Sequence, residues 1–346
     1  MRMTILSGST AFYATKRLMQ AGRRLGHTMQ TINPLDCDLM IEEGAATIYH
    51  KRNKLTRPDI ILPRLGSTAT EYAVAVTQQF ELMGVPTVNT SAAAARAGNK
   101  LRAHQFLAKH HIPTPKTILA RRPDHIERDL TLLGGPPVIL KLLQGTQGVG
   151  VMIADSRQGI ESILETFWGL GHIILMQQYI KESGGTDVRV LVVGGQVIGA
   201  MRRKAQTGQF RANIHRGGVG EIISLTQEEE EIALLATEVM GLDIAGVDLI
   251  MSNDGPLVVE VNSSPGFKGF EDAQMAAGMA PNIGELFIQY SERKARKFMP
   301  RKKKAARPST DLRPPTDPEA DLIAPVSPDT PIPMQVVTDD HGVPLD

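Results

Sequence analysis

The apolar residues of this chain come in short runs, each closed by a glycine, a proline or a helical stretch, and this spacing limits the fold more than any other feature. Runs of about four to eight residues have the length of buried strands, whereas a membrane-spanning helix needs about 20, which no run approaches. Met3–Leu6 reads as a strand that breaks at Gly8, with a helix over 14–25 and further strands at His27–Ile32 and Asp59–Leu62. A helical stretch from Ala69 to Met83 stops at Gly84, and Val85–Val88 reads as another strand. Short strands alternating with helices specify a mostly parallel sheet, so residues 1–95 are expected to form an N-terminal α/β domain.

Beyond the helix over 100–110, which Pro113 and Pro115 forbid from continuing, the pattern changes to hairpins mixed with helices. Strands at 138–143 and 150–154 flank a glycine-bearing turn, and a helix over 158–168 leads to a strand at 172–179. Asp187–Val193 faces Gln196–Met201 across Gly194-Gly195, a favourable hairpin turn. After a helix over 226–240, the last strand pair is Ile244–Met251 and Pro256–Asn262, and a final helix covers 282–298. The segment 299–346 contains ten of the 22 prolines, runs from basic (Arg301 to Lys304) to acidic, and is expected to be disordered.

Basic and acidic residues nearly cancel, 38 against 37, so no overall attraction to nucleic acid is implied. The lone Cys37 excludes an intrachain disulfide and a thiolate-rich metal site, and it suits a reducing compartment. The first ten residues lack the apolar stretch of a signal peptide, so a cytoplasmic location and no membrane association are expected.

Three features carry chemistry. Glu260 and Asn262 lie two apart on one strand and leave it on one face, and Asp248 sits on the strand expected to pair with theirs. Three hard oxygen donors from two strands suit Mg²⁺ or Mn²⁺ with phosphate completing the shell. The bland alternative pairs Glu260 with a lysine and makes Asn262 a cap for the turn that follows. Secondly, Lys141 ends an apolar strand just before Gln144-Gly-Thr-Gln-Gly148, a turn whose bare amides would suit a phosphate cover, although glycine hairpins are common. It is neither a Walker loop nor a dinucleotide fingerprint. Thirdly, Arg189, Arg202, Arg203, Lys204, Arg211 and Arg216 form a cationic set that would neutralise a polyphosphate or carboxylate, or simply coat a surface. His215 is the nearest approach to a general base, and nothing pairs it with a nucleophile, which disfavours a hydrolase triad.

The order Lys100, Lys141 with its glycine turn, Gln178-Tyr179, Asp187-Val-Arg189, Arg211-Ala-Asn213, Asp248 and Glu260-Val-Asn262 resembles the ATP-grasp superfamily. Within it, Pro63-Arg-Leu-Gly66, Phe210 to Gly218, Ala245-Gly-Val-Asp248 and Glu260 to Gly266 are similar to the RimK-type α-L-glutamate ligases that modify ribosomal protein S6. The resemblance covers about residues 1–296. It implies an N-terminal pre-ATP-grasp domain (1–95), a central subdomain with a phosphate lid (96–180) and a C-terminal subdomain with the metal site (181–298), the last two enclosing ATP.

In such a ligase Lys100 and Lys141 would reach the phosphates, and Gly145, Thr146 and Gly148 would close over them. The backbone of Gln178-Tyr179 would read the adenine edge, and Asp187 would take the ribose or order a nearby loop. Arg211 and Asn213 would approach the terminal phosphates, and Asp248, Glu260 and Asn262 would hold two Mg²⁺ or Mn²⁺ ions. Arg203 and Arg189 are candidates for holding the acceptor carboxylate or the intermediate. The resemblance implies an acylphosphate, attacked by the amine of L-glutamate, with the C-terminus of ribosomal protein S6 as acceptor and free poly-α-glutamate as a further product. It also implies a dimer or tetramer. With one tryptophan and few other aromatics, the residues themselves call for no direct nucleic-acid partner. Arg64 is placed on the acceptor side. The first loop, Ser9 to Tyr13, departs from the family pattern and puts acceptor contacts in question rather than ATP use. The alternatives are a ligase that attaches an amino acid to a cofactor or amino-carrier protein, and a non-catalytic relative that keeps the fold.

Overall fold

The computed structural model describes residues 1–65, 70–143, 150–204 and 219–298. The first strand, β1 (Arg2–Leu6), is followed by α1 (Tyr13–Arg24) and β2 (Thr28–Ile32). A small antiparallel meander comes next: β3 (Cys37–Glu42), β4 (Ala45–His50) and β5 (Asn53–Lys54). Then β6 (Ile60–Pro63) returns to β1, giving a parallel sheet in the order β2-β1-β6. Val85–Val88 does not become a strand of its own. It makes one parallel bridge, Ile61 to Thr87, because Pro86 has no N–H to extend a ladder. The meander and the helix α3 described next have no counterpart in the sequence reading.

Three helices, α2 (Thr70–Leu82), α3 (Ser91–Gly98) and α4 (Lys100–Lys109), lead out of this region. Thr90 and Asn99 begin the last two by accepting from Ala93 and Arg102 N–H, which satisfies amides that a helix start leaves unpaired. A second sheet contains β7 (Thr117–Ala120), β8 (Val138–Leu142), β9 (Val151–Ala154) and β10 (Ile174–Gln178), in the order β7-β10-β8-β9. It is covered by α5 (Ile126–Leu133) and α6 (Arg157–Gly169).

The third sheet is antiparallel throughout. It comprises β11 (Thr186–Val193), β12 (Gln196–Lys204), β13 (Val219–Ile222), β14 (Ile244–Ser252) and β15 (Gly255–Asn262), in the order β13-β12-β11-β14-β15. Helix α7 (Gln227–Val239) starts from a complete capping box between Thr226 and Glu229. It packs on one face of the sheet, against Val188, Val190, Val247, Leu249, Val258 and neighbouring residues. Helices α8 (Lys268–Ala276) and α9 (Ile283–Phe298) close the other side. There Phe267, Phe270 and Phe287 share one core with Met3, Ile5 and Leu18 of the N-terminal elements.

No helix among the described residues is long and apolar enough to cross a membrane. The lid turn with Gly145, Thr146 and Gly148, the segment with Arg211, Asn213 and His215, and the tail 299–346 lie outside the described residues.

Candidate active site

The register of the third sheet builds the site. Met201, Arg189, Asp248 and Glu260 stand in one row across β12, β11, β14 and β15. Asp187 and Arg203 face each other in the next row on that face. A β-bulge between Asp248 and Leu249 pairs these residues with Glu260 and Val258, and so leaves Val259 without an opposite number. This extra residue decides which way the carboxylate points. Val258 is on the core face under α7, and strict alternation would send Glu260 there too. With the bulge it is Val261 that rejoins that core, and Glu260 and Asn262 take the other face, with Asp248.

Arg189 donates to both oxygens of Asp248, Nε to Oδ1 and Nη2 to Oδ2, each at 2.6 Å. Arg203 does the same for Asp187 at 2.5 and 2.8 Å, and its Nη2 also lies 3.1 Å from Asp248 Oδ2. Such forked pairs fix both partners in orientation as well as in charge. Burial alone would push the Asp248 carboxyl up, but the two guanidiniums hold it down at about 2. Both arginines expected at the acceptor carboxylate are therefore engaged with the chain's own carboxylates, and Asp187 is held by Arg203.

Lys141, at the end of β8, is buried, and burial pushes its ammonium down to about 8, helped by Lys100 and opposed by Glu260 and Asp248. A cleft of about 60 Å³ is lined by Lys100, His104, Lys141, Val151, Val259 and Glu260, among others. The two lysines and the carboxylate singled out in the sequence thus meet in one place, between α4, β8–β9 and β15.

His104, also in this cleft, is absent from the sequence reading. Burial, Lys141 and Lys100 push its imidazole down to about 4, so it is neutral near pH 7, and its buried Nδ1 has no hydrogen-bond partner among the described residues. The signal available was its spacing: it follows Lys100 by four residues on α4 and therefore shares its face. Gln178 is less open than expected, because its N–H donates to Lys116 O at 2.9 Å. Arg64 reaches across to the turn that follows Asn262, its Nη2 donating to Pro265 O at 2.6 Å.

The oxygen donors fit a magnesium-type ion. Arg189 and Arg203 leave Asp248 Oδ1 a free lone pair, since a carboxylate offers about four. The Glu260 carboxylate accepts no hydrogen bond among the described residues, and the Asn262 side chain uses only its Nδ2, toward Gly246 O at 3.4 Å. Among those residues no group of three or more His, Cys, Asp or Glu could hold a metal by itself. Mg²⁺ fits that shortage, since it keeps waters and takes one or two carboxylates plus substrate phosphates.

A cleft with two lysines facing a carboxylate–arginine row, set between two antiparallel sheets in a chain that begins with a small parallel one, defines an ATP-grasp carboxylate–amine ligase. Family models agree along most of the chain: a RimK PreATP-grasp domain matches residues 1–94 and a RimK-like ATP-grasp domain matches residues 97–283. The chain belongs to the RimK family of ATP-grasp α-L-glutamate ligases, ATP-dependent enzymes that join a carboxylate to an amine. A probable alpha-L-glutamate ligase 2 of Pseudoalteromonas atlantica is 44% identical over 296 residues, covering 86% of this chain and 97% of the relative. Among solved structures, the RimK domain ATP-grasp protein of Sphaerobacter thermophilus superposes with a TM-score of 0.64 at 21% identity, over 84% of this chain and 99% of its own. The ATP-grasp ligase PsnB, complexed with a minimal precursor, Mg and ADP, gives 0.64 at 20% identity, over 85% and 98%. At those identities the two structures speak for the fold.

Proposed function

We propose that this ligase adds L-glutamate through an α-peptide bond to the C-terminal carboxylate of a protein acceptor, ribosomal protein S6, and extends the resulting tail. The observation that carries the reading is the cleft shared by Lys100, Lys141 and Glu260, with Asp248 directly across the sheet from Glu260. The PsnB complex with Mg and ADP supports a divalent ion and an adenine nucleotide in this fold. When bound, ATP with its divalent ions supplies the phosphoryl group that activates the acceptor carboxylate and neutralises the charge that moves with it.

The chain's own residues supply positioning. Lys100 and Lys141 bind phosphate oxygens, and the low dielectric around buried Lys141 strengthens its attraction for them. Asp248, Glu260 and the Asn262 amide oxygen would hold two Mg²⁺ or Mn²⁺ ions. Arg189 and Arg203 keep Asp248 ionised and aimed, and so act on the reaction through it. Arg64 anchors the turn after Asn262 and thereby the end of the strand that presents Glu260. The direct test is ADP release from ATP and Mg²⁺ by the purified protein. The reading requires release that depends on both L-glutamate and S6; release with glutamate alone would leave a ligase without the S6 assignment.

A further inference from the structure

A second cavity lies away from this cleft. It has a volume of about 410 Å³ and is lined by Arg2, Thr28, Gln30, His50, Lys51 and Lys54, together with apolar contacts such as Leu55 and Pro58. Its size is in the range of a ligand site. No carboxylate lines it. The nearby Asp59 is occupied, accepting from the backbone N–H of Arg2 at 2.7 Å. The segment His50 to Arg57 holds four Lys or Arg, one His and no acid, in a chain whose net charge is only +1. Among the described residues neither Lys51 nor Lys54 forms an ion pair.

The backbone adds an independent observation. Lys51 begins the two-residue turn between β4 and β5, where His50 pairs with Asn53, and its φ is +60°. Glycine, asparagine or aspartate ordinarily takes such a position. A lysine held there at the rim of a cationic cavity is placed against its own backbone preference.

The cavity opens at the N-terminal ends of β1 and β2, whereas the C-terminal end of β6 leads through Arg64 to the turn after Asn262. Covering β1 alone takes about 13 Å at ~3.3 Å per residue, so an anion bound here is not the reacting group. No Phe, Tyr or Trp lines the cavity, and His50 is the one ring there that could stack a base, which disfavours RNA. We infer that this cavity is an exosite for an acidic peptide, which binds the glutamate tail once it has grown several residues beyond the catalytic cleft. The inference rests on the proposed glutamate ligation.

The test uses the full chain and a fluorescein-labelled decaglutamate peptide, followed by anisotropy at two salt concentrations. Lys51→Glu/Lys54→Glu is expected to weaken binding at least tenfold and to shorten the tails made on a protein acceptor, while ADP release with a short acceptor stays unchanged. Lys51→Gly suits the turn, so it should keep or raise the melting temperature while weakening binding several-fold. A purely structural role for Lys51 predicts no change in binding. Decaglutamate binding within twofold of wild type in the double variant would overturn the exosite, as would displacement of the peptide by a ten-nucleotide RNA at lower concentration. Absence of ADP release by the wild type would instead count against the ligase reading and leave the binding comparison to judge the cavity.

Discussion

Asp248 lies directly across from Arg189 in the antiparallel sheet, and both of its carboxylate oxygens accept from that one guanidinium at 2.6 Å. The relationship gives a metal-ligand candidate a fixed orientation and keeps it ionised, at about 2, in spite of its burial. It also separates two roles on the same face: Asp248 is held by arginines, while Glu260 opposite is open to the cleft.

Glu260→Gln is therefore the sharper probe of the metal site. It retains the shape and the bulged strand, so the melting temperature should move by less than a few degrees. Removing the charge from the ion's shell should lower ADP release by about a hundredfold or more. Turnover near wild type would contradict the assignment.

Arg203 is buried and joins Asp187 to Asp248. Arg203→Met leaves the half-buried Asp187 carboxylate without its cation and Asp248 with Arg189 alone, so a loss of about 3 kcal/mol is expected. Denaturant unfolding of the variant measures it. Asp187→Asn/Arg203→Met should recover part of the loss, because the unpaired charge at Asp187 goes with the cation.

How much of this was legible in the sequence differs from residue to residue. The β11–β12 hairpin could be read from Gly194-Gly195, and both glycines do adopt positive φ, at 59° and 77°. A side chain at Gly194 would also strike Tyr290. The parity that puts Glu260 and Asn262 on one face was legible because the bulge falls before them. The bulge itself was not, since nothing in Val258-Val259 marks which valine loses its partner. Nor was the engagement of Arg189 and Arg203 by Asp248 and Asp187, which depends on register across strands about 60 residues apart for Arg189 and Asp248. The meander β3–β5 escaped because its apolar residues do not alternate, Leu39-Met40-Ile41 being consecutive, and helix α3 because its alanines mark no distinct face, its start being set by the local Thr90 cap.

Asn89 is the polar joint between the N-terminal elements and the third sheet. Its Nδ2 donates to Ile244 O and Ser263 O, both at 2.7 Å, and its Oδ1 accepts from Asp243 and Ile244 N–H. Asn89→Ala strands these buried groups and should cost about 2–5 kcal/mol. It should also loosen the turn after Asn262, so ADP release is expected to fall with stability. An unchanged urea midpoint would contradict this.

His104 sets a pH dependence. Its folded value, about 4, lies below the ordinary 6.5, so the unfolded chain binds the extra proton first as pH falls. Its contribution to stability is complete above about pH 6.5 and is lost progressively down to about pH 4, an amount of up to about 3 kcal/mol. In His104→Gln the fall in unfolding free energy across that window should be correspondingly shallower. Equal slopes for the variant and the wild type would show that the imidazole is not held neutral.

The most direct measurement is mass spectrometry of purified ribosomal protein S6 after incubation with the enzyme, ATP, Mg²⁺ and L-glutamate, beside a glutamate-free control and an S6-free control. The account predicts a ladder of glutamate-sized additions confined to the C-terminal peptide of S6, present with wild type and lost with Glu260→Gln. An unmodified S6, with ADP formed and glutamate incorporated elsewhere, would contradict the acceptor assignment; no ADP in any arm would contradict the ligase reading itself.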